Sequence, residues 1–122
     1  MAIASELNVY RDFYRLTQYI LIEAPKFPRI YKYTLGERMM NVSLECLKYI
    51  QLINVSYDKE TRLNYFNLLI AEFESLKILC RLSSDSNIRC LSKNKFAFIV
   101  DLLSSIGKQI TAWKKSSEKS IK

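Results

Sequence analysis

Between Ser5 and Ala24, the residues Leu7, Tyr10, Phe13, Tyr14, Thr17, Ile20, Leu21 and Ala24 recur at three- and four-residue intervals, the period of one face of an α-helix. Arg11, Asp12, Arg15, Gln18 and Glu23 fall largely off that face. Pro25 and Pro28 should end the helix, because proline lacks a backbone donor and steers the residue before it away from helical geometry. A basic loop, Lys26-Phe27-Pro28-Arg29, follows. Thr34-Leu35-Gly36-Glu37 then has the form of a capping box, in which Thr34 and Glu37 satisfy each other's free amides, so a second helix is expected to begin there. Its inward positions are Leu35, Met39, Val42, Cys46, Ile50 and Ile53, and it should end near Val55, where Asn54, Ser56 and Asp58 bring turn chemistry.

Asp58 is placed to cap a third helix, from about Lys59 to Leu82, whose inner stripe is Leu63, Phe66, Ile70, Phe73, Leu76 and Cys80. Leu68, Leu79 and Leu82 lie well to the side of that stripe. A helix apolar on two faces serves either a wide core or a subunit interface, and the pattern alone leaves both open. After the polar loop at 83–87 and the short stretch Ile88 to Leu91, Ser92 is placed to cap a fourth helix carrying Phe96, Ile99, Leu103, Ile106, Ile110 and Trp113. From Lys114 onward the chain is rich in Lys and Ser and is expected to fray, giving a bundle over residues 1–115 and a flexible basic tail over 116–122. Four amphipathic helices with short connections have one economical packing, an all-α, antiparallel, up-down-up-down four-helix bundle.

Only two glycines and two prolines occur among 122 residues, which agrees with few, long elements. There is no histidine, so the commonest general base is missing, as is any imidazole ligand for zinc. Gly36 and Gly107 cannot build a phosphate-cradling loop, and the carboxylates of Glu37, Glu45, Glu72 and Glu74 read as solvated or ion-paired surface groups. Gly36 is expected to permit close packing in a first helical turn. No enzyme, cofactor or metal is therefore expected. Cys46 and Cys80 read as buried small hydrophobes and Cys90 as a loop residue. With neither a signal-like start nor an apolar run of about 18 residues, the expected location is the cytoplasm, away from membranes.

Charge is the feature that points to a partner. Nineteen Lys and Arg against twelve Asp and Glu give +7, a positive field that attracts polyanions. The candidate nucleic-acid contacts are Arg29 and Lys32 in the first loop, Arg38 on the second helix, Arg62, Lys77 and Arg81 on the third, and Lys93, Lys95, Lys108, Lys114 and Lys115 around the fourth. Lys77 and Arg81 share a face, and Lys93 and Lys95 open the fourth helix near where the third closes, so a basic patch is expected at that end. The eight tyrosines read as core rather than as a stacking platform for bases.

The strings Lys26-Phe27-Pro28-Arg29, Tyr33-Thr34-Leu35-Gly36-Glu37-Arg38, Arg81-Leu82, Leu91-Ser92, Ile106-Gly107 and Trp113 give the chain a family resemblance over about residues 7 to 115. It resembles the accessory variability determinant proteins of diversity-generating retroelements, within the four-helix-bundle group that includes the proteins of ribosomal RNA intervening sequences. Met39-Met40-Asn41-Val42-Ser43 stands where the intervening-sequence branch has a different segment, which favours the accessory branch. The resemblance implies a barrel-like homopentamer that partners a reverse transcriptase and binds its template RNA or cDNA during mutagenic copying. It carries over Arg29, Arg38 and Arg81, either as nucleic-acid contacts or as braces of the bundle. Leu68, Leu79 and Leu82 are then the candidate oligomer interface. The alternative is a helical-bundle assembly module with no direct nucleic-acid role.

Overall fold

The computed structural model describes residues 7–120; the expected helix start at Ser5 and the last two residues of the expected tail lie outside them. Four long helices carry the apolar stripes: α1 (Asn8–Glu23), α2 (Glu37–Val55), α3 (Lys59–Ser84) and α4 (Lys93–Ser120). Side-chain partners fix their directions. On α1 and α4, Glu23 meets Lys95, Tyr19 meets Phe98 and Asp12 meets Gln109, so the two helices run antiparallel. Met39 meets Ser83 and Tyr49 meets Tyr65 between α2 and α3, and Phe66 meets Trp113 between α3 and α4, with the same sense. Each helix packs on its two neighbours around a ring, α1 on α2 and α4, α3 on α2 and α4. That arrangement is a four-helix bundle.

Phe13, Leu16, Ile20, Met39, Cys46, Ile50, Phe66, Leu76, Ile99 and Ile106 fill the interior, and Phe13 crosses it to meet the Phe73 ring edge-on at 5.9 Å. Helix α1 is rotated from the expected stripe. Leu16 is fully buried, whereas Tyr14 and Leu21 are 48% and 40% exposed. Two overlapping stripes one residue apart fit a three-and-four spacing, and the one through Val9, Phe13, Leu16 and Ile20 faces the core. On α3, Leu69 joins the buried stripe, while Leu63 and Ile70 sit half-buried at its edge.

The entry into α2 differs most from expectation. One helical turn, Arg29–Tyr31, starts directly behind Pro28, and a π-helical turn, Lys32–Gly36, runs on into α2. The Glu37 amide already donates to the Lys32 carbonyl, so the capping box has nothing left to cap. The Thr34 hydroxyl instead donates to the Ile30 carbonyl at 3.0 Å. Gly36 sits at a close approach: a Cβ there would lie 3.1 Å from the Ala24 carbonyl oxygen and 3.2 Å from Phe27 Cδ2, tighter than an ordinary contact. Phe27, in the expected basic loop, is itself buried in the core.

The other caps form as the sequence indicates. Asp58 accepts from the Thr61 amide at 2.9 Å, and Ser92 Oγ accepts from the Lys95 amide at 3.2 Å. Between α3 and α4 the Cys90 and Leu91 amides both donate to the Ser83 carbonyl, and Arg89 takes a left-handed backbone with φ of 56° to allow it. Helix α4 runs past the expected end of the bundle at residue 115, to Ser120. Helix α4 continues because Arg62 Nε donates to Ser117 Oγ at 2.9 Å and Ser117 is buried. Among the described residues no helix is long and apolar enough to cross a membrane.

Candidate anion-binding surface

Four lysines of the surface are tied to carboxylates: Lys26 and Lys95 to Glu23, Lys48 to Glu45 and Lys77 to Glu74. Glu23, expected largely off the apolar face, is buried at the end of α1. Lys95 reaches it across the bundle at 2.7 Å, and that hydrogen bond, joined by the charges of Lys95 and Lys26, holds its carboxyl below the usual range. The same contact raises Lys95. A carboxylate with a lowered folded-state pKa stabilises the fold above its ordinary value near ~4.3, and that contribution fades as the pH falls through the folded value. Glu23→Gln should therefore lose stability at neutral pH and show a flatter stability curve than the native chain below about pH 4, measured by thermal melts across pH.

Arg62 is a second cation with an internal task. Its guanidinium donates to Ser117 Oγ and to the carbonyls of Ile53 and Ser56, and burial holds its pKa down. Lys114 reaches Asn67 Oδ1 at 3.5 Å, and the Lys32 ammonium sits 5.4 Å from the centre of the Tyr33 ring. The remaining candidates, Arg29, Arg38, Arg81, Lys93, Lys108 and Lys115, are all exposed, and among the described residues none enters an ion pair.

Lys95, expected in a patch with Lys77, Arg81 and Lys93, is paired with Glu23. Lys77 and Arg81 of α3 line an open groove of about 800 Å³ together with Lys108 and Lys115 of α4. Its floor is apolar, made by Ile70, Phe73, Phe96, Val100, Gly107 and Ile110, and Glu74, bonded to Lys77 at 2.5 Å, is its one carboxylate. Between α1 and α2, Arg29, Lys32 and Arg38 follow one another along the helical run that leads into α2, and Arg38 lines a groove with Leu79 and Leu82 of α3. Tyr33 within that run is 62% exposed, and Tyr57 before α3 is 84% exposed. With Tyr14 these are the tyrosines that leave the core; the other five pack against it half-buried. Their hydropathy pattern gives no sign of the difference, since a tyrosine fits either place.

Of the interface candidates, Leu79 and Leu82 line a smaller apolar groove of about 410 Å³ with Tyr31, Thr34, Leu35, Arg38 and Ile88, while Leu68 lies outside it. Leu68 and Leu82 are exposed and Leu79 is half-buried. Cys46 and Cys80 are buried, and burial drives both thiols upward, Cys80 to about 12. Cys90 is half-buried. No three His, Cys, Asp or Glu side chains among the described residues gather as a metal site.

The model of one family, described as bAvd-like, matches residues 8–117, which takes in α1 to α3 entirely and α4 as far as Ser117. The chain belongs to the bAvd-like family. No curated protein matches it. Membership places this bAvd-like protein with the accessory variability determinant proteins of retroelements, an accessory and non-enzymatic type. Of the three arginines that the resemblance carries over, Arg29, Arg38 and Arg81 are all exposed and none braces the bundle through an ion pair among the described residues. Arg62 of this bAvd-like protein does brace the bundle, through its hydrogen bonds to Ile53, Ser56 and Ser117.

Proposed function

We propose that this bAvd-like protein is a non-catalytic, cytoplasmic accessory component of a diversity-generating retroelement, which binds the reverse transcriptase and the template RNA or its cDNA through a basic surface. Six exposed cations that enter no ion pair among the described residues carry this reading, because they present positive charge to the solvent on a chain of net charge +7. Phosphates offered to such a surface displace counterions and gain affinity without sequence reading. Assembly as a homopentamer would repeat those cations around a barrel, with Leu79 and Leu82 supplying apolar contact surface.

Fluorescence anisotropy of a labelled structured RNA across a salt series tests the reading. If most of the six cations meet phosphate, the logarithm of the association constant should fall against the logarithm of salt with a slope of about −4 or steeper. Absence of binding at low salt would contradict it and favour the second reading, a helical module for protein assembly alone, to which the apolar groove at Leu79 and Leu82 lends support.

A further inference from the structure

The groove between α3 and α4 combines two properties that the polyanion reading does not need together. Its floor is apolar over a length set by Ile70 and Arg81 on α3, about 16 Å or three helical turns. Cations stand on both walls, Lys77 and Arg81 on α3 and Lys108 and Lys115 on α4. We infer that this groove is the seat of an acidic amphipathic helix contributed by a partner protein, its apolar face on the floor and its flanking carboxylates on the two walls.

Each part of that occupant answers a feature of the groove. An amphipathic helix lays residues spaced i, i+3, i+4 and i+7 along a furrow of about this length. Val100, 40% exposed on α4, and the ring edge of half-buried Phe96 offer it apolar contact. Gly107 keeps the furrow deep above Phe73: a Cβ there would lie 3.5 Å from the ring, an ordinary contact, so internal packing does not demand the glycine. Glutamates on the helix flanks would meet Arg81, Lys108 and Lys115, which have no carboxylate of their own among the described residues. A nucleic acid suits the site less well. Of the two aromatic rings of the floor, Phe73 is 4% exposed and offers no face for a base to stack on, and Phe96 is half-buried. A second copy of this chain would bring no excess of carboxylates to the four cations of these walls, and its proposed contact surface is the separate groove at Leu79 and Leu82.

The inference goes beyond the proposed nucleic-acid role: the two share the wall cations Arg81, Lys108 and Lys115, and the apolar floor separates them. The probe is a labelled helix-forming peptide of about four turns with leucine at i, i+3, i+4 and i+7 and glutamate on both flanks, compared with a peptide of the same composition in permuted order. Anisotropy on the intact protein should show the amphipathic peptide binding at least about tenfold tighter than the permuted one. Val100→Lys, which adds positive charge while removing apolar contact, should abolish that preference and leave RNA affinity undiminished. Lys108→Ala should weaken the amphipathic peptide about threefold, the loss of one charge contact at an exposed wall. Both positions stand outside the interior, and circular dichroism of each variant should match the native chain. Equal binding of the two peptides would overturn the inference. A parallel loss of RNA on Val100→Lys would assign the groove to nucleic acid, and a changed particle mass in that variant would assign it to a second copy; either result also overturns it.

Discussion

Replacing Arg62 with methionine is expected to lower the free energy of unfolding by about 2–3 kcal/mol, the cost of hydrogen bonds from a charged donor to partners that then go unsatisfied. For a chain of this size the midpoint of thermal unfolding should fall by roughly 10 °C. The guanidinium joins three elements. From α3 it donates to the Ile53 carbonyl at 2.7 Å and the Ser56 carbonyl at 3.2 Å, and to Ser117 Oγ at 2.9 Å. The two carbonyls belong to the C-terminal end of α2 and the connection after it, where a helix leaves acceptors without partners. The hydroxyl belongs to the last turns of α4, so the variant should also lose helix at that end, seen as faster amide exchange around Ser117. RNA affinity should stay within about twofold of native, since a guanidinium with internal partners is a poor phosphate ligand. Thermal melts and anisotropy on the same preparation check both halves. Unchanged stability with a marked loss of RNA binding would return Arg62 to the binding surface.

The opposite pattern is expected from Arg29→Glu combined with Arg38→Glu. At about 0.1 M salt each phosphate contact is worth roughly one decade of affinity through counterion release, so losing two should weaken RNA binding by roughly a hundredfold, and the added repulsion can only increase that. The salt slope should become shallower by about two. Stability should hardly change, because both side chains are exposed and neither enters an ion pair among the described residues. Anisotropy across a salt series, paired with a thermal melt, measures both. A variant that keeps its RNA affinity would remove this junction from the proposed interface.

Comparison of the two arginine predictions shows where a sequence stops being informative. Arg62 and Arg38 look alike in the chain, each a cation among helical residues, and both were expected on the binding surface. Only the tertiary packing, which brings Ile53, Ser56 and Ser117 around one of them, separates clamp from free cation. Lys95 is the same case, drawn to Glu23 across a separation of seventy-two residues. By contrast the four helices and most of the inner stripes of α2, α3 and α4 were legible, because burial on one face writes a 3.6-residue period directly into the sequence. Two caps, Asp58 and Ser92, were legible for the same local reason.

The features that escaped were those for which one local signal competes with another. Thr34-Leu35-Gly36-Glu37 has the letters of a capping box, yet Pro28 launches the helix earlier and the π-helical turn consumes the Glu37 amide. In α1 the abundance of apolar residues lets two stripes fit, and the choice between Tyr14 and Leu16 is made by the neighbouring helices. The convergence of Lys77 and Arg81 with Lys108 and Lys115 needs the register between α3 and α4, which no single-helix pattern contains.

Light scattering of the purified protein, alone and with a structured RNA, at low and then high salt, tests the central claim most directly. A particle near five times the 14.4 kDa chain mass that takes up RNA at low salt and releases it at high salt, with the protein assembly unchanged, is the predicted result. A monomer indifferent to RNA at every salt concentration would contradict it.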